Sequence, residues 1–215
     1  MQLSETAAVL FDMDGTLVDS DAAVERSWTS WARDYGVDPA TFLDSSHGFT
    51  SAYTVARLFP RFDAEQVAVA AARQLEYEYV DLADVVSTQG AHTVLALLDT
   101  LGIPWAVVTS ADRRLAAGRL GAAGISPAIL VTCEDVALGK PDPAGYLLAA
   151  KLLGAEPERC LVVEDAEPGA QAGRAAGAGL VATLKGVPGE LPLRSLAQLA
   201  ELLAAAKGQG DADEE

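Results

Sequence analysis

Short apolar segments that alternate with helical segments are the feature that most constrains the fold of this chain. Five such segments have the length and composition of buried strands; they are residues 9–11, 105–108, 128–131, 160–163 and 180–184. Helical patterns separate the later segments, and leucines at helical spacing continue to about residue 203. Strands that alternate with helices predict an α/β fold, in which helices cover both faces of a parallel sheet.

An all-helical block interrupts this alternation near the start of the chain. Helical patterns cover residues 21–35 and 52–59 and continue from Asp63 to Val80, and we find no strand pattern between them. We therefore predict a Rossmann-like core built from residues 1–19 and 87–207, with residues 20–86 inserted as a helical cap. Residues 208–215 are polar and acidic, which predicts a disordered tail.

The net charge excludes some classes of partner. Lys and Arg number 15 against 31 Asp and Glu among the 215 residues, so the formal charge of −16 opposes binding to nucleic acid or to an anionic membrane. The N-terminal residues contain neither a signal peptide pattern nor a membrane-spanning run. Cys133 and Cys160 lie beside apolar runs and predict two buried free thiols. We expect a monomeric cytoplasmic protein.

Polar side chains follow three of the predicted strands at the point where each strand ends. They are Asp12 and Asp14 after the first, Thr109 and Ser110 after the second, and Glu164 and Asp165 after the fourth. Ligands of such sheets bind beyond the carboxyl ends of the strands, so these side chains should share one edge. Lys140, just before the helix that leads to the fourth strand, adds a cation to the same edge.

This set of side chains favours phosphoryl transfer. Like charges that lie close together and out of water require a cation or raised pKa values. Oxygen ligands without His or Cys suit Mg²⁺, which keeps coordination positions for water and a phosphate. The ion, Lys140 and the donors at Thr109 and Ser110 would together overcome the repulsion between a phosphate and the carboxylates. The sequence thus predicts a small phosphorylated metabolite as the ligand.

Each of these features also has an ordinary structural explanation. Asp14-Gly15 is a common turn dipeptide, and residues 109–112 could simply cap the following helix. Lys140 and the acidic pair of residues 164 and 165 could be solvated. The occurrence of all four features at one edge of one sheet is what favours a functional site.

The same residues carry a family resemblance. Four segments resemble the ordered motifs of the haloacid dehalogenase-like hydrolase superfamily, and the early insertion resembles its small helical cap. The segments are Asp12-Met13-Asp14-Gly15-Thr16, Thr109-Ser110, Gly139-Lys140-Pro141-Asp142-Pro143 and Val163-Glu164-Asp165. The resemblance spans residues 9–186, nearly the whole chain.

The resemblance implies a role for each motif residue. Asp12 would attack phosphorus to form an aspartyl-phosphate, and Asp14 would protonate the leaving alcohol and then activate water. An acid at position 14 favours phosphatases over dehalogenases, which lack it. The remaining implied roles are phosphoryl binding by Thr109, Ser110 and Lys140, and Mg²⁺ binding by the Asp12 carboxylate, the Asp14 backbone carbonyl and Asp165, with Glu164 as a further or outer ligand.

Residues 45–50, Ser-Ser-His-Gly-Phe-Thr, resemble a cap loop of the small sugar phosphatase and glycerol-phosphate phosphatase branch. Phe49 stands where that branch commonly has a basic residue, and Tyr53 where an acid is common, so its substrate contacts do not transfer. Ser46, His47, Thr50 and Tyr53 offer neutral hydrogen-bonding groups that suit substrate hydroxyls. The predicted substrate-binding residues are His47, Gly48, Thr50 and Ser110. The alternative for His47 is that it caps a helix. Ala166 stands where the family commonly has Ser, which removes one hydrogen bond near the metal site.

We therefore expect a Mg²⁺-dependent phosphatase that acts on small phosphorylated sugars or polyols, such as glycerol phosphate or hexose phosphates. One alternative is a phosphosugar mutase similar to β-phosphoglucomutase. A mutase must bind a second phosphate through cations of the cap. Arg57 and Arg61 are the only cap cations close in sequence to the His47 loop, which argues against a mutase. The other alternative is a catalytically silent module that binds phosphorylated metabolites.

Overall fold

The computed structural model describes residues 1–43, 46–80 and 82–210, with the side chains of residues 209 and 210 excepted. In chain order the strands are β1 (Ala8–Phe11), β2 (Val18–Asp19), β3 (Val86–Ser87), β4 (Trp105–Val108), β5 (Leu130–Val131), β6 (Cys160–Glu164), β7 (Leu180–Thr183) and β8 (Leu191–Pro192). The helices are α1 (Asp21–Tyr35), α2 (Ser51–Leu58), α3 (Ala64–Val80), α4 (Ala91–Thr100), α5 (Arg113–Ala122), α6 (Ala144–Leu153), α7 (Glu167–Ala175) and α8 (Leu196–Gly210).

A parallel sheet of six strands forms the core, in the order β5-β4-β1-β6-β7-β8. This confirms the predicted α/β fold. β1 lies between β4 and β6, and its Leu10 is paired with Ala106 on one side and Val162 on the other. Every residue of β1 and β6 is buried, which explains why both strands are continuous apolar runs, apart from Glu164 at the end of β6, rather than alternating ones.

Helices cover both faces of the sheet. Val9 and Phe11 point to the face covered by α4, α5 and α8, while Leu10 points to the face covered by α6 and α7. Each face has its own cluster of buried apolar side chains, because successive residues of a strand point to opposite sides. The two clusters fix β1 in the middle of the core, and the polar residues that follow β1 therefore lie at the centre of the sheet edge.

The helices α1, α2 and α3 pack around a separate aromatic cluster. Trp31 is fully buried there, stacks on Tyr35 and donates a hydrogen bond from Nε1 to the Ala70 carbonyl at 2.8 Å. The chain enters and leaves this region through an antiparallel ribbon in which Val18 pairs with Ser87. The prediction of helices alone between the core segments missed this ribbon, because strands of two residues carry no periodicity.

Several predicted boundaries were wrong. The third strand of the sheet begins at Leu130 rather than at residue 128, and the sheet has a sixth strand, β8, that the sequence pattern did not indicate. The last helix continues to Gly210, so it includes residues 208–210 of the predicted tail. Residues 211–215, the rest of that tail, lie outside the described residues.

The prediction of two buried free thiols is confirmed in part. Both cysteines are free, as predicted, but only Cys160 is buried, whereas Cys133 is partly exposed. Within residues 1–43, 46–80 and 82–210, we find no helix with the length and apolar character needed to span a bilayer.

Candidate active site

The carboxyl ends of three neighbouring strands bring the predicted site residues together. Asp12 follows β1, Thr109 follows β4, Glu164 is the last residue of β6, and Asp165 comes directly after it. The backbone N–H of Asp12 donates to the Val163 carbonyl at 2.9 Å, so the strand pairing holds this carboxylate in place. Each of these four residues is buried, with at most 8% of its surface exposed. The shared sheet edge expected from the sequence is therefore present.

Lys140 supplies the central positive charge. Its ammonium nitrogen lies 2.6 Å from Oε1 of Glu164 and also contacts Oδ1 of Asp12. Lys140 itself is buried, in the segment that leads into α6. One buried cation is thus shared between two buried carboxylates, while Asp165 adds a third negative charge beside them.

Burial raises the pKa values of all three carboxyl groups. Removal from water raises the pKa of Asp12 to about 7, even though the Lys140 charge favours the ionised form. Burial and then the charge of Asp12 raise the pKa of Asp165 to about 7, and burial also raises the pKa of Glu164. Although burial opposes its charge, Lys140 has a raised pKa because Asp12 and Glu164 surround it. The site therefore has an excess of negative charge.

The donor set fits a hard divalent cation. One carboxylate oxygen from each of Asp12, Glu164 and Asp165 lies within 4.8 Å of the others, and all three residues are buried. These donors are oxygens only, which Mg²⁺ prefers over softer metals. A cation here would also offset the charge excess that raises the pKa values of Asp12 and Asp165.

Two glycines leave the space that this acidic cluster occupies. Gly15 has a φ of +78°, and a Cβ built on it would lie 1.9 Å from Oδ2 of Asp165. A Cβ on Gly169, in the first turn of α7, would lie 1.7 Å from Oε1 of Glu164. Distances this short are impossible for real atoms, so each carboxylate occupies space that any larger residue would fill.

Tyr146 belongs to the cluster, but the sequence analysis did not identify it. The residue is 1% exposed on α6, and its hydroxyl donates to Oε1 of Glu164 at 2.5 Å. Burial first, and then the charge of Glu164, raise the pKa of Tyr146 well above its usual value, so it remains a donor. The sequence signal was a single Tyr in a helix whose other residues, apart from Lys151, are apolar or glycine, since a buried hydroxyl requires a partner.

A second lysine, also absent from the predictions, contacts the cluster from the surface. Nζ of Lys185, in the turn after β7, lies 3.1 Å from Oδ2 of Asp165 and 2.8 Å from Oδ2 of Asp21 in α1. The Lys185 side chain is 42% exposed. It therefore links the acidic cluster to the first helix of the inserted region.

Asp14 lies at the edge of the cluster and is held by groups that the sequence analysis did not single out. Its Oδ1 accepts a hydrogen bond from the Ser20 hydroxyl at 2.6 Å. The same oxygen lies 2.9 Å from Nη1 of Arg119, which is buried on α5. Asp14 is the most exposed of the predicted acidic residues, with 28% of its side chain exposed.

Ser110 contacts the inserted helical region directly. Its hydroxyl donates to the Gly48 carbonyl at 2.8 Å. Gly48 has a φ of +80°, and a Cβ on it would lie 2.9 Å from Cβ of Ala166, so the loop packs closely on the core. Oγ1 of Thr109 accepts a hydrogen bond from the N–H of Ala111 at 3.1 Å. Asp112 caps α5, so Thr109 and Ser110 are not needed for that role.

Two of the predicted substrate-binding residues of the loop, His47 and Gly48, line two cavities, whereas Thr50 is in the lining of neither. His47 is exposed and lines both a cavity of about 710 Å³ and an inner cavity of about 80 Å³. Asp12, Asp14 and Ser110 line the inner cavity. Thr50 uses its hydroxyl to cap α2, accepting from the N–H of Tyr53 at 3.2 Å. The helix-capping role considered for His47 is therefore filled by Thr50.

Comparison with known proteins identifies the family. A profile of the haloacid dehalogenase-like hydrolases matches residues 6–177. Hexitol phosphatase A of Escherichia coli (strain K12) is 44% identical over 175 residues, which are 80% of this chain and 81% of that protein. 2-Deoxyglucose-6-phosphate phosphatase 1 of Saccharomyces cerevisiae is 35% identical over 190 residues, covering 79% of this chain and 76% of that protein.

A solved structure shows the same architecture. β-Phosphoglucomutase (pgmB) from Clostridium difficile superposes with a TM-score of 0.84, covering 96% of this chain and 99% of that one. At 20% identity this likeness concerns the fold alone.

The chain belongs to the haloacid dehalogenase-like hydrolase family, as the resemblance of its motifs indicated. Within that family it is a phosphatase.

Proposed function

We propose that this phosphatase hydrolyses small phosphorylated sugars or polyols through an aspartyl-phosphate on Asp12, with Mg²⁺ as its cofactor. The observation that carries the proposal is the position of Asp12. It is buried at the end of the central strand, beside Lys140 and Asp165, and lines the inner cavity. The named substrates of the relatives, hexitol phosphate and 2-deoxyglucose 6-phosphate, suggest the substrate class.

Asp12 and Asp14 would have different roles in the reaction, Asp12 as the nucleophile and Asp14 as the acid and base. The ionised Asp12 carboxylate attacks phosphorus, and the bond from phosphorus to the substrate oxygen breaks as Asp14 gives that oxygen a proton. Asp14 then takes a proton from the water that attacks the phosphorylated Asp12. Inorganic phosphate leaves, and both side chains return to their starting states.

Three donors would hold the phosphoryl oxygens. Thr109 and Ser110 follow β4, and Lys140 faces Asp12 from the loop before α6. Their combined donors favour the charge that develops on the transferring group. Because the Ser110 hydroxyl also contacts Gly48, phosphate binding and the position of the loop would depend on each other.

The metal would be held by the Asp12 carboxylate, the Asp14 backbone carbonyl and Asp165. Glu164 is held by Lys140 and Tyr146, so we assign it the role of an outer or additional ligand. When bound, Mg²⁺ supplies positive charge that draws the phosphate toward the carboxylates and favours their ionised forms.

The larger cavity would hold the sugar or polyol part of the substrate. Its volume of about 710 Å³ suits a small metabolite, and its lining combines polar groups such as Glu25, His47 and Gln171 with apolar ones such as Phe49. We propose that His47, Gly48 and Thr50 contribute contacts from the loop. We also propose that residues 20–86 act as a cap that closes over the site, and that the protein is a cytoplasmic monomer.

A substrate panel tests this function. Purified protein is incubated with Mg²⁺ and hexitol phosphates, 2-deoxyglucose 6-phosphate, glycerol phosphate and p-nitrophenyl phosphate, and released phosphate is measured. We expect Mg²⁺-dependent release, fastest from a sugar or polyol phosphate, and loss of release after chelation. Isomerised product that requires a bisphosphate primer would indicate a mutase, and an absence of turnover on every compound would indicate a binding module.

A further inference from the structure

Arg119 joins two carboxylates that belong to different parts of the molecule. It is 3% exposed on core helix α5. Its Nη1 lies 2.9 Å from Oδ1 of Asp14, and its Nη2 lies 2.5 Å from Oε2 of Glu78 on α3. Arg119 and Glu78 also line the inner cavity together with Asp14. A buried ionic bridge therefore runs from the inserted helices to the residue proposed as the acid and base.

Stability alone is a weak explanation for this bridge. Moving charges out of water costs about as much free energy as their mutual attraction returns, and apolar side chains often stabilise such sites equally well. Burial raises the pKa of Glu78, in opposition to the Arg119 charge. The Nε of Arg119 is buried without a hydrogen-bond partner among the described residues. These costs indicate a role other than packing.

The contacts at Asp14 indicate what that role is. Oδ1 accepts a hydrogen bond from Ser20 and forms an ion pair with Arg119, whereas Oδ2 has no hydrogen bond among the described residues. Two contacts on one oxygen fix the rotation of the carboxyl group, and they leave the other oxygen as the atom that can exchange a proton with a ligand in the inner cavity.

Whereas Asp14 contacts Nη1 of the Arg119 guanidinium, Glu78 contacts Nη2. Its Oε1 accepts from the side chains of Gln74 and Ser27, which fixes Glu78 within the inserted helices. Because a guanidinium is planar and rigid, a contact on one nitrogen orients the other. The position of α3 over α5 thereby sets the position of Arg119 at Asp14.

We propose that Arg119 is a positioning residue that aligns Asp14 for proton transfer, and that Glu78 makes this alignment depend on the placement of α3. The inference rests on the proposed phosphatase mechanism. The step concerned is the transfer of the Asp14 proton to the substrate oxygen as the bond from that oxygen to phosphorus breaks.

Leaving groups of different basicity distinguish positioning from a purely structural role. A sugar or polyol alkoxide needs a proton in order to leave, whereas p-nitrophenolate does not. The ratio kcat/KM reports the steps up to the first phosphoryl transfer. We would measure it for p-nitrophenyl phosphate and for the fastest alkyl phosphate of the panel, in the wild type, Arg119→Met, Arg119→Lys and Glu78→Gln. Arg113→Met, which removes an exposed arginine from the same helix, is the matched control.

We expect Arg119→Met to lower kcat/KM about 100-fold for the alkyl phosphate and less than about 5-fold for p-nitrophenyl phosphate, in the range of misaligned acid catalysis. Arg119→Lys, which keeps one contact, should recover about 10-fold of the loss, and Glu78→Gln should show a smaller loss with the same selectivity. Arg113→Met should leave both values within about 2-fold, as exposed ion pairs contribute little.

An equal loss on both substrates, or no loss, would overturn the inference while leaving the proposed function intact. If Arg119→Met does not fold, Arg119→Lys decides the question alone, because it keeps the buried charge. A wild-type protein that releases no phosphate from any compound in the panel would overturn the proposed function, and with it the role of Arg119.

Discussion

Replacing Gly169 with Ala tests whether Glu164 is held where the structure places it. A Cβ on residue 169 would lie 1.7 Å from Oε1 of Glu164 and 2.0 Å from its Cδ. Glu164 is fully buried and accepts hydrogen bonds from Lys140 and Tyr146. Either this carboxylate or α7 must therefore move in the variant.

Opposing effects determine how much Gly169→Ala changes the free energy of unfolding. Ala in place of Gly within a helix stabilises a protein by up to about 1 kcal/mol. Overpacking a filled site costs about 1–3 kcal/mol. Disturbing hydrogen bonds to the charged carboxylate costs about 1.5–3 kcal/mol for each bond that is lost. We expect Gly169→Ala to lower the free energy of unfolding by about 2–4 kcal/mol, which corresponds to about 4–16 °C in Tm for a chain of this size.

Gly121→Ala provides the matched control. Gly121 also lies in a helix, α5, and a Cβ on it would meet nothing within 4 Å. This variant should be slightly more stable than the wild type. Thermal unfolding of the three proteins, followed by circular dichroism in chelator, measures the difference. The reasoning would be refuted if Gly169→Ala were as stable as Gly121→Ala.

Four further predictions concern the charged cluster. Asp12→Asn should lower kcat more than about 10³-fold without changing the circular dichroism spectrum, and near-normal turnover would show that Asp12 is not the nucleophile. In the folded chain without metal, burial raises the pKa of Asp12 and the pKa of Asp165 from the ordinary value of 3.8 to about 7. The folded chain therefore binds more protons between these values, so the stability of the chelated protein should fall as pH rises from about 4 to about 7. The rise in Tm caused by Mg²⁺ should accordingly grow with pH over the same range, whereas a constant rise would contradict the assigned ligands. Tyr146→Phe should reduce the free energy of unfolding by about 1–3 kcal/mol, because a buried carboxylate loses a donor; a neutral result in denaturant unfolding would argue against that contact.

Local patterns were sufficient to predict five of the six strands of the sheet and the motif residues at their ends. The segment 105–108 has the bounds in the structure that its apolar run predicted. Asp12 and Asp165 follow β1 and β6, which are paired neighbours, so their meeting follows from the strand order. No single segment indicated that strand order. A parallel arrangement nevertheless places the carboxyl ends of all the strands at one edge of the sheet.

Side chains that join the site from helices could not be predicted. Tyr146 and Arg119 have the same local pattern as core and surface positions of an ordinary helix, and their roles depend on contacts with Glu164 and Asp14, which are distant in sequence. The strand β8 was missed because tertiary pairing, rather than propensity, determines a strand of two residues that includes a proline.

The ribbon formed by Val18–Asp19 and Val86–Ser87 brings the two chain connections between the inserted helices and the core side by side. Since the entering and departing strands are paired side by side, the whole insertion can be replaced by another of different size without changing the path of the core chain. The ribbon begins only four residues after Asp14 in sequence, so an exchanged insertion would still be attached beside the candidate active site. Grafting the corresponding segment of a relative between these two strands, with an acid kept at the position of Glu78, is therefore a direct way to alter substrate preference while keeping the reaction.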